Sequence, residues 1–216
     1  RAYDEGHPII SDFEWDDYYT ALLKLEKELG YVDPESPSQK IHYDVVNELK
    51  KVEHNHPMLS LDKTKDIAEI EAFLGNKCNI AMLKLDGLTC SLTYKNGYLV
   101  GAETRGNGII GEDVLHNVLQ IKNVPNKINY KDTLIIDGEI ICTEDNFKYF
   151  KNEYKNARNF ASGSIRLLNS EESAMRRLSF IAWDIIEGLD NDFLSVRLND
   201  LEQLGFTIVP FHRPSF

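Results

Sequence analysis

The sequence lacks several features that would indicate a function by themselves. Its three cysteines, Cys78, Cys90 and Cys142, form no C-x-x-C pair, so neither a zinc site nor a disulfide framework is indicated. No apolar run approaches the roughly 18 residues that a membrane span requires. No Ser-His-Asp pattern and no P-loop is present, so a nucleotide would have to be bound without a Walker lysine. Buried free thiols in a reducing cytoplasm, and no membrane partner, are therefore expected.

Positive charge is also scarce. The 216 residues include 24 basic and 35 acidic side chains, which gives a net charge of −11. Residues 1–78 hold 17 of the acids but only 9 of the bases, so the acidic surplus lies mostly in the first third of the chain. Proteins whose main task is to grip a phosphate backbone usually present a basic field. Any nucleic-acid role would therefore need local basic patches or another domain.

The first part of the chain has the pattern of a small helical unit. The stretch SDFEWDDYYTALLKLEKELG carries apolar residues at spacings of three and four, which predicts a helix that begins at Ser11 and ends at Gly30. The two prolines of the following YVDPESPSQK indicate an extended connection and a boundary. A short helix is predicted over residues 64–74, with Thr64 as its cap and Gly75 as its stop.

From residue 80 the apolar period changes to two, which predicts β-strands. The stretch Lys95-Asn96-Gly97-Tyr98 is a strong hairpin signal between two of them. Two further helices are predicted, one capped at Thr143 and one over residues 195–204. Because hairpins dominate where the strands cluster, the expected fold class is α+β with antiparallel sheets. The predicted strands are IAMLKLD, LTCSLTY, YLVGAET, TLIIDGEII, RRLSFIAWDII and TIVPF.

The stretch LKLDG contains the first candidate for chemistry. In a strand, Lys84 and Asp86 would point to the same face, and Gly87 would let the backbone approach whatever occupies that face. A lysine attacks an electrophile only as the neutral amine, and a neighbouring aspartate favours the ammonium form. Asp86 is therefore expected to orient a group or to be linked to a metal. Taken alone, the K-x-D-G motif is weak evidence, and an edge lysine near a turn is the favoured interpretation.

Arg105 lies in ETRGNGIIGED, next to a formal G-x-G-x-x-G match. A dinucleotide-binding interpretation of that match needs a parallel βαβ unit, which the preceding Asn-Gly hairpin disfavours. The guanidinium of Arg105 suits bidentate contact with a phosphate or carboxylate, and a solvated arginine in a glycine turn is the alternative. In TLIIDGEII, Asp137 and Glu139 are either at an exposed edge or kept for a ribose hydroxyl, a metal or a cation.

The stretch NARNFASGSIRLLNS places two arginines among small residues. Arg158 and Arg166 could neutralise phosphate, because small side chains let backbone N–H groups approach a ligand. A mobile surface loop is the alternative. His54 and His56 form an H-x-H pair, but no third metal ligand follows at a recognisable spacing. The pair is therefore weak evidence for a metal site.

Taken in order, these stretches resemble the NAD-dependent DNA ligase family, and the resemblance runs through nearly the whole chain. It implies a helical nicotinamide-recognition domain over residues 1–46 and an antiparallel-sheet nucleotidyltransferase (adenylation) domain over residues 47–216. The stretches that carry it are PIISDFEWDDYYTALLKLE, HPMLSLDK, KLDG, TRGNG-x-x-GED, DGE, NARNFASGSIR and LSFIAWD.

The resemblance also implies a first chemical step. Neutral Lys84 would attack the adenylyl phosphorus of NAD, release nicotinamide mononucleotide and leave an AMP–lysine adduct, with Mg²⁺ as Lewis acid and charge neutraliser. Asp86 and Arg105 would share the catalytic site with Lys84. The implied nucleotide contacts are Ser60 and Leu61 for the adenine pocket, Trp183 for stacking on adenine, Glu139 for the ribose, Arg105, Arg158 and Arg166 for phosphate, and Tyr3, Asp12, Trp15 and Asp16 for the nicotinamide half.

The chain departs from the family pattern at several of these positions. Met82 stands where the family usually has a glutamate, the acceptor for the adenine amino group. Trp15 replaces a tyrosine, and Ala2 and Tyr3 replace the usual aromatic or histidine pair. Asn107, Asp137 and Ala157 stand for the usual aspartate, arginine and proline.

The last residues, RPSF, come before two later family motifs that supply further lysines. The resemblance therefore predicts that this chain alone does not seal nicks, and that it meets nicked duplex DNA through other domains or a second ligase subunit. Two alternatives stay open: a non-catalytic or regulatory subunit of a split ligase, and an ATP-dependent K-x-D-G nucleotidyltransferase.

Overall fold

The computed structural model describes residues 12–31, 36, 38, 49–58, 61–75 and 79–213, with residues 12–17 described by their backbone alone. The helices of this part are α1 Asp12–Leu29, α2 Ile67–Leu74, α3 Leu115–Val118, α4 Glu144–Phe147, α5 Ala157–Ile165, α6 Ser170–Met175 and α7 Leu194–Gln203. The strands are β1 Lys51–Glu53, β2 Ala81–Met82, β3 Leu88–Lys95, β4 Tyr98–Thr104, β5 Ile110–Glu112, β6 Leu134–Ile141, β7 Ser179–Glu187 and β8 Phe211–His212.

A four-stranded sheet in the order β4-β3-β6-β7 is the centre of the described structure, and all of its neighbouring strands are antiparallel. Two small antiparallel pairs, β1 with β5 and β2 with β8, flank it. The predicted α+β class with antiparallel sheets is therefore confirmed. No described helix is long and apolar enough to cross a membrane.

The two faces of the central sheet differ in chemistry, because side chains alternate along each strand. On β3, the fully buried Cys90, Leu92 and Tyr94 alternate with Thr89 and Ser91. The first set belongs to a continuous apolar core, and the second set lies on the face that carries polar side chains. The core also includes Ile136, Ile140, Phe160, Ile165, Phe180, Leu198 and Leu201, none of which is exposed to solvent.

The predicted hairpin joins β3 to β4. Asn96 and Gly97 both have positive φ, 54° and 84°, which matches the type I′ turn that an Asn-Gly pair favours. A Cβ on Gly97 would come within 2.6 Å of the Ile128 carbonyl oxygen. The antiparallel hairpin also disagrees with the dinucleotide-binding interpretation of residues 106–111, since β4 pairs only antiparallel within the described residues.

The helix predictions are confirmed in part. Gly30 follows α1 with φ +61°, and the Thr143 hydroxyl accepts a hydrogen bond from the Asn146 amide at the start of α4. The predicted cap of α2 is wrong, because Asp66, and not Thr64, accepts hydrogen bonds from the first backbone amides of that helix. The surface-loop alternative for NARNFASGSIR is also wrong, because α5 forms there.

One strand prediction is wrong at a position that matters. IAMLKLD forms only the two-residue strand β2, Ala81–Met82, and residues 83–87 leave the strand conformation before β3 begins. Lys84 and Asp86 therefore do not share a strand face. The predicted last strand TIVPF does not form as a whole. Ile208 makes a single β-bridge with Ala182, and the short strand β8 begins at Phe211. Cys90 and Cys142 are free and buried, as expected, whereas Cys78 lies outside the described residues.

Candidate active site

The polar face of the sheet carries a row of three side chains that we call the first polar row: Arg105, Thr89 and Glu139. Thr89 of β3 is opposite Glu139 of β6. On the other side, the Arg105 amide donates a 3.0 Å hydrogen bond to the Thr89 carbonyl just beyond the end of β4. Residues that are opposite each other in an antiparallel pair project to the same face. The row therefore brings together an arginine and a glutamate from TRGNG and DGE.

Glu139 is held at both carboxylate oxygens. Its Oε1 accepts a hydrogen bond from the Gly87 amide and its Oε2 accepts one from the Thr89 hydroxyl, each at 3.2 Å. Burial raises the pKa of Glu139 above its ordinary value, and the two hydrogen bonds and the nearby Lys84 and Arg158 oppose that rise. The carboxylate is thus fixed in orientation and lies within electrostatic range of two cations.

Gly87 is required by close packing between the Lys84 loop and β6. A Cβ at this position would come 2.2 Å from the Ile140 carbonyl oxygen and 2.9 Å from the Ile141 side chain. Any side chain would therefore push the backbone away from Glu139. The glycine of K-x-D-G permits a close approach, as the sequence predicted, and the group approached is the backbone of β6.

Four charged side chains from separate parts of the sequence meet around this loop. Arg158, in the first turn of α5, lies with its Nε 3.8 Å from Asp86 Oδ1, and both side chains are largely open to solvent. Burial lowers the pKa of Arg105, as does Arg158, while Glu139 opposes the shift. Lys84 is exposed in the loop between β2 and β3. Lys84 thus lies within electrostatic range of the fixed carboxylate of Glu139, which is also near Arg105 and Arg158.

Trp183 lies beside this group on β7. Gly138 is opposite Ala182 and Asp137 is opposite Asp184, so Trp183 is the extra residue of a β-bulge. Bulges re-aim a side chain relative to regular alternation. The neighbouring Gly138 leaves no room for a Cβ, which would lie 2.2 Å from the ring of Phe180. A large aromatic side chain is therefore next to the strand that carries Glu139.

These elements match a known family. A family model described as "NAD-dependent DNA ligase adenylation domain" matches residues 46–213. The chain belongs to the NAD-dependent DNA ligase adenylation domain family. The resemblance that the ordered motifs indicated is thereby confirmed.

Individual relatives agree with the family match. The DNA ligase of Ruminiclostridium cellulolyticum is 42% identical over 220 residues, which cover 97% of this chain and 33% of that protein. The DNA ligase of Lachnoclostridium phytofermentans is 43% identical, covering 97% and 34%. The DNA ligase of Mycoplasma genitalium is 41% identical, covering 92% and 32%. The chain thus spans about a third of the length of these curated relatives.

Arg166, expected to contact phosphate, is engaged within the protein. Its Nε donates to Glu112 Oε2 at 2.7 Å and its NH1 donates to the Ser162 hydroxyl at 2.6 Å. Glu112 is fully buried and the Arg166 side chain is only 16% exposed. The ion pair joins the end of α5 to β5. A phosphate contact for Arg166 stays a prediction, while its contacts with β5 are a feature that the sequence did not indicate.

Several predicted contacts fall outside what can be located. Tyr3 and Ser60 lie outside the described residues. Asp12, Trp15 and Asp16 lie on α1, whose first turns are described by backbone alone.

Two further residues near the proposed adenine pocket are described. Leu61 is 71% exposed. Met82, which stands for the usual glutamate of adenylation domains, is in β2 opposite Phe211 and is 39% exposed.

The sequence did not predict two close contacts that the H-x-H pair makes at the edge of the site. His56 Nε2 lies 2.9 Å from Asp137 Oδ2, and both side chains are largely buried. His54 Nε2 likewise lies 3.0 Å from the Arg105 carbonyl oxygen. The only local signal was the H-x-H spacing, together with a carboxylate in an apolar strand. Asp137 stands where the family usually has an arginine, and its partner here is a histidine.

The described residues could hold Mg²⁺ only together with a substrate. Within the described ranges no three His, Cys, Asp or Glu side chains are grouped closely enough to bind a metal ion. Mg²⁺ at phosphate-transfer sites commonly uses one or two carboxylates plus the substrate phosphates. Asp86 has 79% of its side chain exposed and is open to such an ion, whereas the oxygens of Glu139 accept hydrogen bonds from Gly87 and Thr89.

Proposed function

We propose that this chain carries out the adenylyl-transfer half of an NAD-dependent DNA ligase reaction. The Lys84 Nζ lone pair attacks the adenylyl phosphorus of NAD and forms a P–N bond. The P–O bond to the bridging oxygen breaks, and nicotinamide mononucleotide leaves with that oxygen. The attacking nitrogen loses one proton to solvent or buffer and keeps the other. The observation that carries the proposal is the convergence of Lys84, Glu139 and Arg158 in a member of this family.

Arg105 and Arg158 are the residues that we assign to the phosphates. Charge moves onto the non-bridging oxygens and the leaving phosphate during the attack, and pre-positioned cations lower the energy of that state. Burial of Arg105 and the anchoring of its amide on Thr89 support a fixed position for it. Arg158 is more exposed, which suits a group that closes on a bound nucleotide.

Glu139 and Trp183 are assigned to the nucleoside. A carboxylate fixed at both oxygens can accept hydrogen bonds from the ribose hydroxyls without reorganising. An aromatic side chain next to it offers a stacking surface for adenine. Ser60 and Leu61 complete the proposed adenine pocket. Because Met82 offers no carboxylate, we expect recognition of the adenine amino group to rest on other contacts.

Mg²⁺ belongs to the proposal as a charge-neutralising ion. It would be held by the phosphates of NAD together with Asp86, and the chemistry that it supplies is stabilisation of negative charge on those phosphates. Asp86 also contacts Arg158, so its role within the chain is to orient that guanidinium toward the Lys84 loop.

The remaining assignments concern the rest of the proposed ligase. Residues 1–46 would form a helical nicotinamide-recognition domain, with Tyr3, Asp12, Trp15 and Asp16 on the nicotinamide half, ahead of an adenylation domain over residues 47–216. Nicked duplex DNA would be the final acceptor, reached through other domains or a second subunit, and residues 1–216 alone would not seal a nick. The buried free thiols of Cys90 and Cys142 support a cytoplasmic location.

A donor comparison tests the proposal. The chain is incubated with Mg²⁺ and either NAD or ATP, and the released nicotinamide mononucleotide or pyrophosphate is quantified by chromatography. We expect about one equivalent of nicotinamide mononucleotide per protein from NAD and no pyrophosphate from ATP. Release of pyrophosphate from ATP would favour the ATP-dependent alternative. Release of neither product, even with the rest of a ligase added, would favour a non-catalytic subunit.

A further inference from the structure

His56 lies in a segment that crosses the polar face of the sheet, residues 54–58, which we call the entrance segment because it leads to Ser60 and Leu61. Its imidazole reaches Asp137 of β6 across 81 residues of sequence, with Nε2 2.9 Å from Oδ2. The other ring nitrogen, Nδ1, is 2.6 Å from the Asn55 side-chain oxygen. Only 15% of the His56 side chain and 4% of the Asp137 side chain are exposed.

Asp137 is part of a second polar row, which lies directly beside the first polar row. Ser91 is opposite Glu103 on one side and opposite Asp137 on the other, and Asp137 is opposite Asp184. Three carboxylates therefore lie in one line across four strands. Burial and the charge of Asp137 both raise the pKa of Glu103 and of Asp184, while His56 lowers each of them. His56 is therefore close enough to interact with the carboxylates on both sides of Asp137.

The strands themselves do not satisfy Asp137. Among the described residues, neither Asp137 Oδ1 nor the adjacent Ser91 Oγ, both buried, has a hydrogen-bond partner. A buried carboxylate without compensation is costly. The hydrogen bond between His56 and Asp137 Oδ2 therefore offsets part of the cost of burying Asp137.

The entrance segment is also fixed on its other side. The His54 amide donates to the Ile109 carbonyl at 2.8 Å and the Met58 amide donates to the Gly108 carbonyl at 3.1 Å. The His54 ring contacts the Arg105 carbonyl. The segment therefore spans from the turn that follows Arg105 to the strand that carries Glu139, and His56 supplies the contact at the Glu139 side.

We propose that His56 is a positioning residue that anchors the entrance segment to β6 through Asp137 and so fixes one wall of the nucleotide site beside Glu139. This inference rests on the proposed function. His56 acts through the segment that it anchors and not by touching the reacting atoms. Its expected signature is a change in NAD affinity with little change in the chemical rate.

The imidazole is placed among side-chain oxygens and acidic groups. Its two ring nitrogens contact Asp137 Oδ2 and the Asn55 side-chain oxygen. The charged groups that face His56 or its neighbours are Glu103 from β4, Asp113 after β5, Asp137 from β6, Asp184 from β7 and Arg197 from α7.

The kinetic test uses His56→Gln, Asp137→Asn and the double variant, with His116→Gln as the matched control. His116 contacts the Leu167 carbonyl away from this row. KM for NAD and the single-turnover rate of adduct formation are measured for each chain. We expect each single variant to raise KM about tenfold to a hundredfold with the rate nearly unchanged. The double variant should add little to the worse single one.

The split between KM and rate separates positioning from a general loss of stability. A general loss would lower the amount of adduct formed as well as raise KM, whereas positioning raises KM alone. Additive effects in the double variant, or a single-turnover rate that falls as much as KM rises, would overturn the proposal. His116→Gln should behave like the unsubstituted chain in every respect.

Backbone amide hydrogen exchange tests the anchor without any ligand. His56→Gln and Asp137→Asn should accelerate exchange at the Met58 amide about tenfold or more, while core amides such as Leu92 and Ile136 keep their protection. Equal acceleration in the core and in the entrance segment, or none in either, would contradict the anchor. If the unsubstituted chain forms no adduct, the proposed function fails, and this exchange measurement alone decides whether His56 positions the segment.

Discussion

Glu139 accepts a hydrogen bond from the Gly87 amide at 3.2 Å, and this contact joins the carboxylate of β6 to the loop that carries Lys84. The two residues are 52 positions apart in sequence. The same carboxylate accepts a second hydrogen bond from Thr89, so its orientation is fixed from β3 as well. The position of the proposed ribose contact relative to the Lys84 loop is therefore fixed by hydrogen bonds from Gly87 and Thr89.

Substitution of Glu139 should weaken NAD binding. Glu139→Gln removes the negative charge of the carboxylate that accepts hydrogen bonds from the ribose hydroxyls. We therefore expect KM for NAD to rise about tenfold to a hundredfold. Thr89→Val removes only one of the hydrogen bonds that orient Glu139, so we expect a smaller rise of about threefold to tenfold. Thr93→Val, four residues further along β3, is the matched control. Equal effects of Thr89→Val and Thr93→Val would contradict the orienting role of Thr89.

Gly87→Ala should destabilise the loop that carries Lys84. The new Cβ would lie 2.2 Å from the Ile140 carbonyl oxygen, so the backbone must shift at a cost of about 1–3 kcal/mol in the free energy of unfolding. Urea titration followed by circular dichroism measures this change. Gly163→Ala in α5 is the control, because the nearest atom to its Cβ would be a Tyr154 ring carbon at 3.6 Å. It should be neutral or slightly stabilising, and a larger loss there than at Gly87 would contradict this packing.

The buried pair between Glu112 and Arg166 should contribute to stability. Glu112→Gln removes one charge of a pair whose carboxylate is fully buried, and we expect a loss of about 3 kcal/mol in the free energy of unfolding. Glu172→Gln is the matched control, since Glu172 pairs with Arg176 with 44% of its side chain exposed. Its loss should be below about 1 kcal/mol. Similar losses in both variants would show that burial does not distinguish the two pairs.

Stability should depend on pH through the second polar row. Burial, Asp113 and Asp137 raise the pKa of Glu103 above its ordinary value of 4.5. Between 4.5 and the raised value the folded chain binds more protons than the unfolded chain. The stabilising contribution is therefore complete below 4.5 and is lost as pH rises through the folded pKa.

Glu103→Gln tests that sign. The urea midpoint of the unsubstituted chain should rise as pH is lowered from 7.5 toward 5, and Glu103→Gln should have a higher midpoint at pH 7.5 and a flatter profile. Glu153→Gln, at an exposed position, should keep the unsubstituted profile. A profile for Glu103→Gln as steep as that of the unsubstituted chain would show that Glu103 does not carry this dependence.

The sequence correctly predicted features of the fold that depend only on neighbouring residues. The Asn96-Gly97 turn and the Thr143 cap are fixed by the conformational and hydrogen-bonding preferences of a few adjacent residues, and both were predicted. The cap of α2 was misassigned because Thr64 and Asp66 are both good cap residues. The strand around Lys84 was overextended, because period-two alternation continues past the point where β2 loses its pairing with β8.

The sequence predicted which residues belong to the candidate site, but it did not predict how these residues are arranged in space. Lys84, Arg105, Glu139 and Arg158 could be named from the sequence, since each lies in a short recognisable stretch. The bulge at Trp183 depends on the register between β6 and β7, which no local pattern encodes. The contact between His56 and Asp137 joins residues 81 positions apart, and the burial of Arg166 against Glu112 depends on how α5 packs.

Intact-mass spectrometry after incubation with NAD and Mg²⁺ tests the central claim most directly. We predict that the chain gains the mass of one AMP, that Lys84→Ala abolishes the gain, and that Lys95→Ala, at the exposed end of β3, leaves it intact. Peptide mapping should locate the adduct on Lys84. A chain that gains no AMP even with the rest of a ligase present, or one that gains it equally when Lys84 is replaced, would contradict the proposal that Lys84 carries AMP.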